Sequence, residues 1–379
     1  MEHHHTHTFC QNTLAWQVRL LLGLSLLVLW PSIPQAQEYA RWADSSRSMG
    51  MGGSGMADST LPDAFIYNPA GLAQEEHATL DLQANEFAST NNAQAFFQKM
   101  EAPNFTSVGA ANAYLANTKG DYYYLRKQGL GAYQYHGGFG VAAFEVDTRY
   151  GAPDTLNTAI YNLHRRRITG GMVSFATESK FRTFLFGVAL KGVESHTYTE
   201  AVTGTTLATP GFSMSRQSTL WRGMFMDAGM IIRLPIPVVR PSLSVALLNG
   251  YNDSVHKFDR RSGLAPEVNV GLSMGPIMLG QGMKVVLSAE QRDAANFQKD
   301  IPADKKLNVG GEVSFFPLGN DVWGLQFRTG RMGDYASFGV GLNLTSFLRL
   351  SAAQYGEEIG TPLNPKKSTR EVLEVRLAF

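Results

Sequence analysis

The chain has 379 residues, with 33 Lys and Arg against 32 Asp and Glu, and a net charge of +1 gives no reason to expect a nucleic-acid partner. Its one cysteine, Cys10, excludes a disulfide framework and a paired-cysteine metal site. Beyond residue 36 no run approaches the roughly twenty apolar residues of a transmembrane helix, yet charged residues make up only 17% and glycines number 38. That balance suits soluble secreted proteins and membrane β-barrels alike.

Residues 1–36 are expected to be a cleaved signal peptide. Leu20 to Trp30 is an apolar run with Arg19 before it, and Pro34-Gln35-Ala36 offers a cleavage site. His3, His4, His5, His7 and Cys10 precede that run and would leave with it. The mature chain would then hold no cysteine.

Residues 37–74 are expected to form a compact plug. Ser45 to Ala73 reads SSRSMGMGGSGMADSTLPDAFIYNPAGLA, with glycines at 50, 52, 53 and 55. Glycine admits backbone conformations closed to other residues. In Asn68-Pro69-Ala70-Gly71 the Asn initiates a turn, Pro69 fixes its dihedral, and Gly71 is placed where a positive φ would be needed. Gly50 to Gly55 does not suit a nucleotide loop, because no strand precedes it.

This stretch resembles the N-terminal hatch of the FadL-like outer-membrane transporters, including the related PorV- and TraF-type barrels. The resemblance implies a hatch inside a fourteen-stranded barrel, with Gly52, Gly53, Asn68, Pro69, Ala70 and Gly71 as its motif. It implies uptake of hydrophobic small molecules, such as long-chain fatty acids or aromatic hydrocarbons. The ligand would leave laterally through the wall. The alternative, from the PorV and TraF side, is a non-enzymatic scaffold or shuttle subunit of a secretion or conjugation system.

Residues 75–379 carry the barrel signal, which is alternation with period two. Phe184, Phe186, Val188 and Leu190 oppose Gly187, Ala189 and Lys191. Val268, Val270, Leu272 and Met274 oppose Asn269, Gly271 and Ser273. Trp323, Leu325 and Phe327 oppose Gly324, Gln326 and Arg328. Phe338, Val340, Leu342 and Leu344 oppose Gly339, Gly341, Asn343 and Thr345, and Leu373, Val375, Leu377 and Phe379 oppose Glu374, Arg376 and Ala378. One face is large and apolar; the other is small or polar.

Long polar connections alternate with tight turns. The long ones are 87–120, 151–164, 199–216, 252–262, 292–305, 330–334 and 356–367; the short ones fall near 136–138, 178–180, 234–241, 275–282, 316–321 and 345–347. The expected fold is therefore all-β, a transmembrane antiparallel β-barrel of about fourteen strands with an N-terminal hatch. Asn104–Asn117 is expected to be a short helix that lines an access groove or caps the barrel. Trp221, Tyr251, Trp323 and Tyr355 are placed to populate interfacial girdles.

Arg165-Arg166-Arg167, where a long loop re-enters the barrel, and Arg260-Arg261 are candidate contacts for lipopolysaccharide or another anion. Phe379, ending the last strand, resembles the signal read by the outer-membrane assembly machinery. His136, His164, His196 and His256 have no serine motif beside them, and no metal or cofactor motif appears. No enzymatic activity is expected. The expected location is the outer membrane of a Gram-negative bacterium, among lipid and lipopolysaccharide.

Overall fold

The computed structural model describes residues 41–59, 62–74, 77–101, 105–118, 121–135, 138–154, 160–212, 218–252, 264–280, 282–299, 301, 303–316, 324–359 and 366–379. The expected signal peptide (residues 1–36), His136, His256, Arg260, Arg261 and Trp323, and the side chain of Tyr251, lie outside them.

Fourteen antiparallel strands close into a barrel. They are β1 (Thr79–Ser89), β2 (Tyr123–Tyr135), β3 (Phe139–Pro153), β4 (Tyr161–Glu178), β5 (Phe184–Val202), β6 (Thr219–Arg233) and β7 (Pro241–Asn252). Then follow β8 (Glu267–Met278), β9 (Met283–Gln291), β10 (Leu307–Phe315), β11 (Gly324–Met332), β12 (Tyr335–Asn343), β13 (Leu348–Glu358) and β14 (Lys367–Ala378). Each strand pairs with its sequence neighbours, and β1 closes on β14 with Asp81 opposite Ala378. Closure leaves no sheet edge to satisfy.

The alternation decides which way each strand faces. Phe186, Val188, Leu190, Val270, Phe327, Phe338, Val340, Leu373 and Val375 are exposed, while Gly187, Lys191, Asn269, Gln326, Gly339 and Glu374 between them are buried. A continuous apolar outer wall has no reason to face water, and its height is set by strands long enough to cross a bilayer.

Long connections cluster at one end and tight turns at the other. One expected long loop is an exception: β11 and β12 are joined by Gly333-Asp334 alone, with Gly333 at φ 53°. Exposed aromatics ring the short-turn end, among them Tyr135, Phe139, Phe175, Phe184, Phe315, Phe347 and Phe379. The expected girdle residues Trp221 and Tyr355 instead point into the lumen. Trp221 packs on Phe225 with ring centroids 5.6 Å apart, and Tyr355 is buried with Met49, Phe87 and Tyr124. Each shares a parity with the small and polar positions of its strand.

At 18 and 19 residues, β4 and β5 far exceed what a bilayer requires. Two helices of the first long connection, α3 (Ala93–Glu101) and α4 (Val108–Asn117), pack on this excess. Phe96, Phe97, Met100, Ala111 and Leu115 bury against Tyr123, Leu125, Tyr161, Leu163, Tyr198 and Val202. Those strand residues belong to the outer face. The expected helix is present, but it clasps the outside of the wall.

Candidate functional site: the hatch and its lumen

Residues 41–59 and 62–74 pack inside the barrel against the lumen-facing wall. Helix α1 (Ser46–Gly50) is capped by Ser45, whose side chain accepts from the Ser48 amide. A 3-10 turn (Met56–Asp58), helix α2 (Asp63–Tyr67) and a second 3-10 segment (Pro69–Gln74) follow. Gly52 and Gly53 take φ of 68° and 80°, which explains glycine there. The glycine-rich segment thus includes two single-turn helices, which its composition did not suggest.

The Asn-Pro-Ala-Gly motif is a buried turn. Asn68 ends α2, its side-chain oxygen accepts from the Ala70 amide at 3.0 Å, and its carbonyl accepts from the Gly71 amide at 2.9 Å. Gly71 does not have a positive φ. Glycine is required there because a Cβ would overlap the Ser59 carbonyl oxygen. The wall makes matching room: a Cβ at Gly187 of β5 would overlap Pro69, and one at Gly229 of β6 would overlap the Asn68 side chain. On the opposite wall, Gly310 and Gly330 admit the backbone of Met51.

Two chemistries hold the hatch. Toward β2–β7 the contact is largely apolar, with Trp42, Phe65, Ile66, Tyr67 and Leu72 against Leu130, Phe144, Ile168, Met172, Val193, Phe225 and Leu248. Trp42 and Phe144 lie 4.8 Å apart. Set into this side is a buried ion pair, Lys191–Asp227 at 2.8 Å, with the ammonium 4.9 Å from the Trp42 ring.

Elsewhere the contact is ionic. Asp44 meets Arg126 at 2.7 Å, Arg41 at 3.6 Å and Arg292 at 3.9 Å. Its carbonyl accepts from Asn85 and Gln128. Burial alone would raise the Asp44 pKa, but Arg41, Arg126 and Arg292 outweigh it and hold the carboxyl below its ordinary value. Arg47 binds Asp58 at 2.8 Å and Glu312 at 3.2 Å, and Arg328 takes Glu312 at 2.6 Å. The amide of Ser46 donates to Glu374. Asp63 differs: burial, with Glu374 nearby, pushes it up to about 6 against the opposing pull of Arg47 and Arg376.

These anchors were missed in the sequence. The available signal was charge at lumen-facing positions inside strands, such as Arg126, Glu290, Glu312 and Arg328, which require buried partners. The arginine run is partly spent on structure. Arg165 lies within β4, on the outer face, and binds Asp147 at 2.8 Å and Glu101 of α3 at 2.9 Å. Arg167 pairs with Glu145 at 2.8 Å in the open, while Arg166 takes the opposite parity. Phe379 closes on β1, exchanging backbone hydrogen bonds with Leu80, and stacks on Phe347. His164 bonds Thr199 and His196 bonds Glu194, without converging on one site. Among the described residues no group of three His, Cys, Asp or Glu could hold a metal ion.

No protein-family model matches the sequence, and no curated protein does. Solved structures do. A TodX deltaS2S3 mutant monoaromatic hydrocarbon channel is 11% identical with a TM-score of 0.53, over 89% of this chain and 98% of that one. A Pseudomonas aeruginosa FadL homologue is 14% identical with a TM-score of 0.52, over 90% and 99%. The Ralstonia pickettii toluene transporter TbuX is 13% identical with a TM-score of 0.51, over 89% and 98%. At such identities the likeness speaks of architecture: this chain has the hatch-filled, fourteen-stranded fold of FadL-type barrels.

Proposed function

We propose that the protein is an outer-membrane channel for uptake of hydrophobic small molecules, exported with its first 36 residues as a cleaved signal. The observation that carries this reading is the division of the lumen. Toward the long-loop end, partly exposed Trp221 packs on buried Phe225, above an apolar hatch contact that includes buried Trp42 and Phe144. At the short-turn end the lumen is lined by charge, including Arg47, Lys284, Arg349 and Arg376. An apolar ligand entering from outside would meet matching surface first and a costly charged exit last. That arrangement favours departure through the wall once the hatch shifts. Monoaromatic hydrocarbons and toluene, named for the structural neighbours, are the first substrates to try.

In this reading the long-loop end is extracellular and the short-turn end periplasmic. Arg167 at the outer surface is a lipopolysaccharide contact, with Arg260 and Arg261 as further candidates. Phe379 is the signal for assembly. Asn68 to Gly71, seated against Gly187 and Gly229, form the hatch's pivot.

One observation favours the second reading, a scaffold or shuttle subunit of a secretion or conjugation system. The Asp44 cluster fastens the hatch with several buried charges, as a static plug would be fastened. Uptake separates the two. Cells carrying Asn68→Ala with Pro69→Ala should keep a heat-modifiable barrel and take up labelled toluene or oleate at least several-fold more slowly than wild type. Unchanged uptake with loss of a co-purifying complex would assign the scaffold role instead.

A further inference from the structure

The turn between β6 and β7, Leu234-Pro235-Ile236-Pro237-Val238-Val239-Arg240, holds one charged residue in seven. Beside proline, water-facing turns draw on glycine, asparagine, aspartate and serine. This one has none of them, and it exposes Leu234, Ile236 and Val238. It is nonetheless closely tied. The Leu234 amide donates to the Pro241 carbonyl at 2.9 Å, Ile236 to Leu234 at 2.8 Å, Val239 to Pro237 at 2.9 Å and Arg240 to Ile236 at 3.1 Å. The bond from Val239 to Pro237 makes Val238 the centre of a γ-turn, with φ 72°. That conformation is strained, most of all for a β-branched side chain. Glycine at 238 would relieve the strain but would remove an exposed apolar group. The shape of the turn therefore does not account for valine.

The turn between β4 and β5 stands beside it. Phe184 lies opposite Ile232, and the Arg233 amide donates to the Thr183 carbonyl at 2.7 Å, so both turns leave the wall side by side. Phe181 of the β4–β5 turn is 85% exposed, against 46% for Phe186 on the apolar wall. The patch continues that wall. Phe184 and Phe186 on β5, and Leu243 and Val245 on β7, are exposed on the outer face next to it. Apolar surface of this continuity marks an interface. Phe184 belongs to the aromatic ring of this end, which marks the bilayer surface. Leu234 follows Ile232 by two residues, an advance of about 7 Å at most. A headgroup layer is about 5–7 Å deep on each side of a bilayer, so the turn starts at headgroup depth.

We propose that the β6–β7 turn, together with Phe181, is a lipid-binding surface that inserts its side chains among the phospholipids of the periplasmic leaflet. Continuity with the lipid-facing wall identifies the occupant, because the same apolar chemistry runs from one to the other. The strain at Val238 is the cost of holding that side chain toward lipid. Behind the turn, the Arg233 side chain donates to Gln74 of the hatch at 2.7 Å, and Leu185 and Ile231 pack on Ala70. Lipid at the turn is thus held against the strands that seat the hatch's pivot. The proposal rests on the outer-membrane reading and not on what the channel carries.

The test uses the mature chain, thiol-free once Cys10 leaves with the expected signal. It carries one bimane-labelled cysteine at a time: Ile236→Cys, Phe181→Cys, or Phe186→Cys on the wall. Each variant is placed in vesicles of phosphatidylethanolamine and phosphatidylglycerol, with and without a nitroxide high on the acyl chain. Heat modifiability establishes that each labelled barrel is folded. Nitroxide lipid should dim the label at 236 and at 181 at least twofold, as it does at 186, while iodide in the water should dim all three far less. Nitroxide quenching at 186 alone, with 236 and 181 open to iodide, overturns the proposal and leaves the turn as surface for a periplasmic protein. Shielding of 236 and 181 from both quenchers also overturns it and assigns the patch to a second copy of the chain. Absence of nitroxide quenching at 186 as well would overturn the membrane reading itself.

Discussion

Asp44 sits among three guanidiniums and is almost wholly buried. Removing it leaves those cations without their shared counter-charge, and breaking a buried ionic contact in this way costs about 3–5 kcal/mol. Asp44→Ala should therefore raise hydrogen exchange and protease access across residues 41–58 while the barrel stays closed. Exchange unchanged from wild type would show that the apolar contacts alone seat the hatch. Asp63 gives a pH signature of opposite sign to that of Asp44. With its pKa raised from 3.8 to about 6, the folded state binds the Asp63 proton before the unfolded state does. Hatch stability should rise as pH falls from 7 toward 4, by up to about 3 kcal/mol. Asp44, held below its ordinary value, contributes stability that is present above pH 3.8 and lost at lower pH. Hatch protection should thus peak between these limits, and Asp63→Asn should flatten the rise between pH 7 and 5. A rise that persists in Asp63→Asn would assign it to another group.

The elements fit because each strand solves two problems at once, presenting large apolar groups outward and small or charged ones inward. Val340→Arg would put charge on the exposed apolar wall, costing roughly 2–4 kcal/mol near the midplane of a bilayer. Asn343→Lys, on the lumen side of the same strand, should cost less, as urea unfolding from lipid vesicles would measure. Gly187→Leu should act differently again: its side chain would occupy the space of Pro69, so the hatch should be expelled while the barrel remains heat-modifiable. Period-two alternation made these faces legible in sequence, since Phe338 and Val340 flank Gly339 wherever the strand begins or ends. Asn68-Pro69 was legible because few residues initiate a turn and then fix its next dihedral. What pairs with the hatch was not legible. Gly187 and Gly229 look like ordinary small lumen residues, and only the closed barrel brings them to Pro69 and Asn68. Arg165 looked like a surface charge because its partner Glu101 lies 64 positions away on α3. Tyr355 seemed a girdle residue although its parity matched Ser351 and Ala353, which face inward.

At the scale of the molecule, the hatch packs inside the barrel while apolar surface covers the outside, so passage of any ligand requires the hatch to move. That is the central claim, and tethering the hatch tests it most directly. The Gln134 side chain on β2 donates to the Leu72 carbonyl at 2.5 Å, which places hatch and wall side by side. With Cys10 in the expected signal, the mature chain would give a thiol-free background for Leu72→Cys with Gln134→Cys, joined by oxidation or a short bifunctional thiol reagent. In the reduced state the double variant should take up labelled toluene or oleate at a rate near wild type. Once joined it should lose at least tenfold, and reductive cleavage of the disulfide should restore it. Uptake that proceeds equally well with the hatch covalently held to the wall would contradict the account.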